Sequence, residues 1–212
     1  MKTMRTLSRW SPLIGVMLCA AAMAADYPPP DVVVKTTSEE VLRLVADDKD
    51  LRNGSTSKLV DLIETKVVPH FDMPRVTRLA VGKYWNDATP EQHKVLVDEF
   101  RTLLVRSYAA AYSAYRLVKV EVTPLQPAAG ENDVTVKTRI LLPGGAPPVG
   151  VDYAMRLGSE GWKVYNVTVD GASLVTTYRN DFSAQIQTGG IDGLIKNLKE
   201  RNAKALAVPA KK

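Results

Sequence analysis

The chain has 212 residues, 28 basic and 23 acidic side chains, a net charge of +5 and a single cysteine. Three of the basic residues, Lys2, Arg5 and Arg9, lie at the N-terminus and leave +2 on the remainder. That balance excludes a nucleic-acid binder, which needs a concentrated basic stripe, and one cysteine excludes an internal disulfide or a thiolate metal cluster.

Lys2, Arg5 and Arg9 precede the apolar run Leu13–Ala22, followed by Ala22-Met23-Ala24. A basic start, a short apolar core and an Ala-x-Ala exit mark a cleaved secretory signal, residues 1–24. The run is about half the roughly 20 residues that a membrane span needs. Cys19 lies inside it, and Leu18 is not the small residue that a lipoprotein signal places before its cysteine. The mature chain is therefore expected to contain no thiol and to be held together by its core alone.

Residues 25–36 hold three consecutive prolines and a valine run, and are expected to form an extended lead-in. Thr37 and Glu40 have capping-box spacing, which predicts a helix start, with Val41, Leu42, Leu44 and Val45 as its apolar face. After Asn53-Gly54, Ser57–Val68 reads as a second helix closed by Pro69, and Met73–Trp85 as a shorter third. The clearest helix begins at Thr89-Pro90-Glu91-Gln92, a capping box with proline at the first helical position. Apolar residues recur from Leu96 at helical spacing to about Tyr115.

The period then falls to two. Val118–Val122, Val134–Ile140, Val151–Leu157 and Trp162–Val169 alternate apolar and polar residues, with Gly- and Pro-rich turns between them. This predicts a four-stranded antiparallel meander with one wet face. Asp170-Gly171 is expected to end the sheet. Ser173–Gln187 and Ile191–Arg201 read as helices separated by Gly189-Gly190, and residues 202–212 as a basic tail. The late lysines and arginines fit a solvated helix face, or a weak attraction to anionic membrane surfaces. The fold class is α+β: one domain over 37–201, with helices packed on one face of the sheet.

Catalytic chemistry is not apparent. His70 and His93 lack a metal-helix pattern. Ser173 follows Gly171-Ala172, but Val175 stands where a nucleophile elbow has its second glycine. Asp98, Glu99 and Asp181 read as solvated helix carboxylates. No catalytic residue, metal or cofactor is expected. The long helix instead offers Tyr108, Tyr112 and Tyr115 beside several alanines. Such a face either packs tightly on the sheet or lines a cavity for an apolar ligand, since tyrosine has an apolar body and a polar tip.

Several spaced blocks resemble the MlaC family, also called the toluene-tolerance family. They are Gly82-Lys83-Tyr84-Trp85, Ala88–Gln92 with Phe100–Tyr108, Gly161–Val167, Gly171–Val175, Tyr178–Phe182 and Gly189–Leu194. The likeness runs from about Glu39 to Leu198. Asn166, Asp170 and Ala172 depart from the family's usual Asp, Glu and Val. The resemblance implies a periplasmic carrier of glycerophospholipid; a monomer is expected, and the weak charge already argues against a nucleic-acid partner. Its expected partners are an outer-membrane lipoprotein–porin complex and an inner-membrane MCE-type ABC transporter complex, and its expected role is to maintain outer-membrane lipid asymmetry. It also implies acyl tails inserted in an apolar slot between sheet and helices. The residues expected to line that slot are Leu103, Leu104, Tyr108 and Tyr112 from the long helix, Val136, Ile140, Tyr153, Met155 and Val164 from the strands, and Leu174, Tyr178 and Phe182 from the helix that follows. Two other readings stay open at this point. One is a periplasmic small-molecule enzyme or sensor, with Thr138 and Asn166 as its polar groups. The other is an assembly factor acting through its surface.

Overall fold

The structure is a computed structural model that describes residues 27–112 and 118–207. The leader with Cys19, the end of the basic tail and the side chain of Tyr112 lie outside the described residues.

The first helix, α1, spans Pro30–Asp47, so the expected extended lead-in is corrected from Pro30 onward. Proline suits the first helical position because its fixed φ is already helical and its missing N–H has no partner there in any case. Asp31 adds negative charge in the first turn, where the helix dipole is positive. Burial does the rest: Val34 packs into a cluster with Val134, Val136, Met155, Trp162 and Val164 of the sheet. Thr37 and Glu40 therefore fall inside the helix, and the Ser38 hydroxyl donates to the Val34 carbonyl at 2.7 Å.

A short α2, Lys49–Arg52, is capped by Asp48, whose carboxylate accepts the N–H groups of Asp50 and Leu51. Next comes α3, Thr56–Leu62, which widens into a π-helical turn at Ile63–Val67 and tightens into a 3-10 turn at Val68–His70. The cause is Pro69, which has no N–H to donate and collides with the carbonyl four residues earlier in an α-helix. A further helix, α4, spans Met73–Val81, with the Asp72 carboxylate accepting the Arg75 N–H at its start. A 3-10 turn over Gly82–Asp87 leads to α5, Pro90–Tyr112. The capping box forms at its start: Gln92 N–H donates to Thr89 Oγ1, and Thr89 N–H donates to Gln92 Oε1.

Five antiparallel strands run in the order β1-β2-β3-β4-β5: Lys119–Val122, Asp133–Leu141, Val149–Gly158, Gly161–Val169 and Ala172–Ser173. The sheet has one strand more than expected. Asp170 and Gly171 both adopt positive φ, 45° and 84°, as a tight primed hairpin turn requires, and they fold Ala172–Ser173 back onto β4. Burial alternates along β2: Val134, Val136 and Thr138 are buried, whereas Thr135, Lys137 and Arg139 are exposed. One helix, α6, runs Leu174–Ala207 and breaks at Gly190, where φ is 67°.

Three core clusters form among the described residues. One lies among α4, α5 and α6 around Phe100, Phe182, Leu194 and Leu198; a second lies between α1 and the sheet; a third gathers Val45, Leu51, Leu59, Leu62 and Ala109 from α1, α2, α3 and α5. Among the described residues, no helix is long and apolar enough to cross a membrane.

Candidate functional site

Between the first two cores lies a partly open cavity of about 520 Å3, walled almost wholly by apolar atoms. Its walls are the inner sheet face, α1, the segment from Ile63 to Phe71, and α5. The α5 face is made by Arg101, Leu104, Val105 and Tyr108, which follow the i, i+3, i+4, i+7 spacing of one helical stripe.

Leu104, Tyr108, Ile140, Tyr153, Met155, Val164 and Leu174 line this cavity. Others expected there sit elsewhere. Leu103 and Phe182 are buried in the core among α4, α5 and α6, and Tyr178 packs against it. The ring of Phe100 meets Tyr178 edge-on at 4.7 Å and Phe182 at 5.0 Å. The helix α5 has two apolar stripes, and Phe100 and Leu103 lie on the one that faces α6. Val136 pairs with Tyr153 across β2 and β3 but is fully covered within the cluster beneath α1. The Tyr112 side chain lies outside the described residues.

Sequence reasoning missed the α1 wall, made by Val33, Val34, Thr37, Ser38 and Val41, and the turn contributing Ile63, Val67, His70 and Phe71. A signal for the first existed. Positions 33, 34, 37, 38 and 41 follow helical spacing, once the prolines are read as a helix start rather than as extended chain.

The few polar groups on the cavity have mostly structural duties. Asn166 Oδ1 accepts the Val175 N–H and the Ser173 hydroxyl, both at 3.2 Å, which joins β4 to the first turn of α6. Thr138, which does not line the cavity, donates its hydroxyl to the Val151 carbonyl at 2.7 Å. Arg101 is held by Glu64 at 3.3 Å. Burial pushes the Tyr108 phenol up to about 12, and nearby Tyr178 and Tyr153 add to the shift. Burial also raises Tyr153. His70 is driven below the usual imidazole value, first by burial and then by the Lys163 charge, against an opposing pull from Glu40. Among the described residues, no cluster of three His, Cys, Asp or Glu side chains is placed to hold a metal ion.

Comparison with known proteins places this architecture. The family described as MlaC protein matches residues 35–200. The Haemophilus influenzae intermembrane phospholipid transport system binding protein MlaC is 19% identical over 92% of this chain and 93% of its own length. The Pseudomonas putida toluene tolerance protein ttg2D is 28% identical over 84% of each chain. A solved structure of the phospholipid-binding protein from Ralstonia solanacearum, in complex with a phospholipid, aligns with a TM-score of 0.77 and 37% identity. That alignment covers 84% of this chain and 99% of the other. With a family match spanning most of a chain that folds as an antiparallel sheet backed by helices, this protein belongs to the MlaC family.

Proposed function

We propose that this protein is a periplasmic carrier of glycerophospholipid, holding the acyl tails in the cavity and leaving the head group in solvent. The observation that carries the reading is the cavity itself: about 520 Å3, partly open, and lined chiefly by valine, leucine, isoleucine, methionine and aromatic side chains. That volume lies within the roughly 300–1,000 Å3 of small-molecule sites. The phospholipid in the Ralstonia structure and the transport role in the Haemophilus protein's name support the choice of cargo.

The physics gives such a carrier its purpose. Each methylene withdrawn from water is worth about 0.8 kcal/mol. Two acyl tails with on the order of 30 methylenes therefore face a barrier of roughly 20 kcal/mol or more in open water. A dry slot removes it without bond making or breaking, so the protein acts as a carrier, not an enzyme, and needs no cofactor. A passive slot only equilibrates lipid between donors and acceptors. Direction must come from partners, here an outer-membrane lipoprotein–porin complex and an MCE-type ABC transporter of the inner membrane. The role so defined is to maintain outer-membrane lipid asymmetry.

The test is lipid uptake. Purified, emptied protein is mixed with vesicles containing labelled phosphatidylethanolamine and separated by gel filtration. Label co-eluting with the protein, one lipid or more per chain, is expected. Folded protein that elutes without label would overturn the reading.

A further inference from the structure

Tyr153 stands on the inner face of β3, paired with Val136 on β2 and Val167 on β4. Its side chain is half-buried and borders the cavity beside Val151, Met155 and Val164. Its hydroxyl has no hydrogen-bond partner among the described residues, and burial alone sets its acidity. Other hydroxyls of the sheet are engaged: Thr138 donates to the Val151 carbonyl and Tyr165 to the Asp133 carboxylate. A phenylalanine would fill the same space, so packing on the sheet does not account for the hydroxyl. Tyr108 lies on the same cavity, 44% exposed, and close enough to be affected by a charge on Tyr153. The two tyrosines therefore sit near one another on the cavity, and Tyr108 reaches solvent.

We infer that the Tyr153 hydroxyl donates a hydrogen bond to an ester carbonyl of the bound lipid, so that the cavity prefers ester-linked diacyl lipids over ether-linked ones. The inference rests on the carrier reading above. Acyl tails offer no acceptor, and the phosphate head group remains outside. The ester carbonyls are the acceptors nearest the tails, and a lipid with its tails inserted brings them to the inner side of the opening. An ether-linked lipid of the same length has only the weaker ether oxygens there. Burial raises the phenol's pKa above its usual value, so it stays protonated, and hence a donor, throughout the neutral range.

The experiment loads emptied protein from vesicles holding equal amounts of dipalmitoyl phosphatidylcholine and its di-O-hexadecyl analogue. Mass spectrometry then measures the ratio of the two lipids bound. Wild type is expected to favour the ester by about 3–10-fold, the scale of one net hydrogen bond, and Tyr153→Phe to bring the ratio near one. Equal uptake by wild type, or a preference that survives in Tyr153→Phe, would overturn the inference while leaving the carrier reading intact. If neither lipid enters folded wild type, the carrier reading fails and this inference with it. Thermal unfolding of the emptied proteins is a second check. Tyr153→Phe should melt at or above the wild-type temperature, and a melting point several degrees lower would mean that the hydroxyl has a structural partner instead.

Discussion

Phe100 on α5 and Phe182 on α6 pack edge to face, ring centroids 5.0 Å apart at 72°, and neither ring is exposed to solvent. The contact joins α5 to α6, and neither ring lines the cavity that Leu104 and Tyr108 border. Phe182→Ala is expected to cost about 3–5 kcal/mol in a urea titration, as large-to-small core changes do. Lipid uptake per folded molecule should not change. A folded Phe182→Ala protein with reduced uptake would place Phe182 on the cavity after all.

Val167 tests the opposite case. It is half-buried, lines the cavity, and sits beside Tyr153 on the sheet. Val167→Trp adds bulk where open volume exists, so the strain of about 1–3 kcal/mol typical of overpacking is an upper bound on its cost. Vesicle uptake should fall severalfold while the far-ultraviolet circular dichroism stays native. A folded variant with a normal load would move the tails elsewhere.

The cavity wall also has a pH signature. Tyr108 ionises near 12 instead of 10.0, chiefly because burial disfavours the phenolate. Its folded-state value is raised, so its stabilising contribution is complete below 10.0 and is lost as pH rises from there toward 12. Spectrophotometric titration of wild type against Tyr108→Phe should show one phenol missing from the high end of the curve. His70 behaves in the opposite sense. Burial lowers it below 6.5, so its contribution is present above 6.5 and fades as pH falls through the folded value. Nuclear magnetic resonance should find His70 titrating below 6.5, and lower still once lipid tails displace water from the cavity.

Much of the fold was legible because local chemistry and tertiary packing agree. Thr89 and Gln92 have the spacing of a capping box, and both of its hydrogen bonds form. Thr89→Ala should cost about 1 kcal/mol in chemical denaturation, the usual worth of such a cap. Gly189-Gly190 breaks α6 because Gly190 adopts a φ of 67°, which other residues resist. Strand alternation found Ile140, Tyr153, Met155 and Val164 on the cavity side, since a period of two leaves no third face.

The rest was hidden for physical reasons. A helix with two apolar stripes shows the same periodicity whichever stripe faces the cavity, so Leu103 and Phe182 could not be told from Leu104 by spacing. The prolines before α1 look extended until Val34 meets the sheet, a contact made across most of the chain. Asp170-Gly171 is a strong hairpin signal, but the strand that it returns has only two residues, Ala172 and Ser173, too few to show any alternation.

The measurement that bears most directly on the central claim is native mass spectrometry of the mature protein purified without detergent. The account predicts a species heavier than the bare chain by the mass of a diacyl phospholipid, releasing phosphatidylethanolamine or phosphatidylglycerol on extraction. A bare chain mass that persists after incubation with phospholipid vesicles would contradict it.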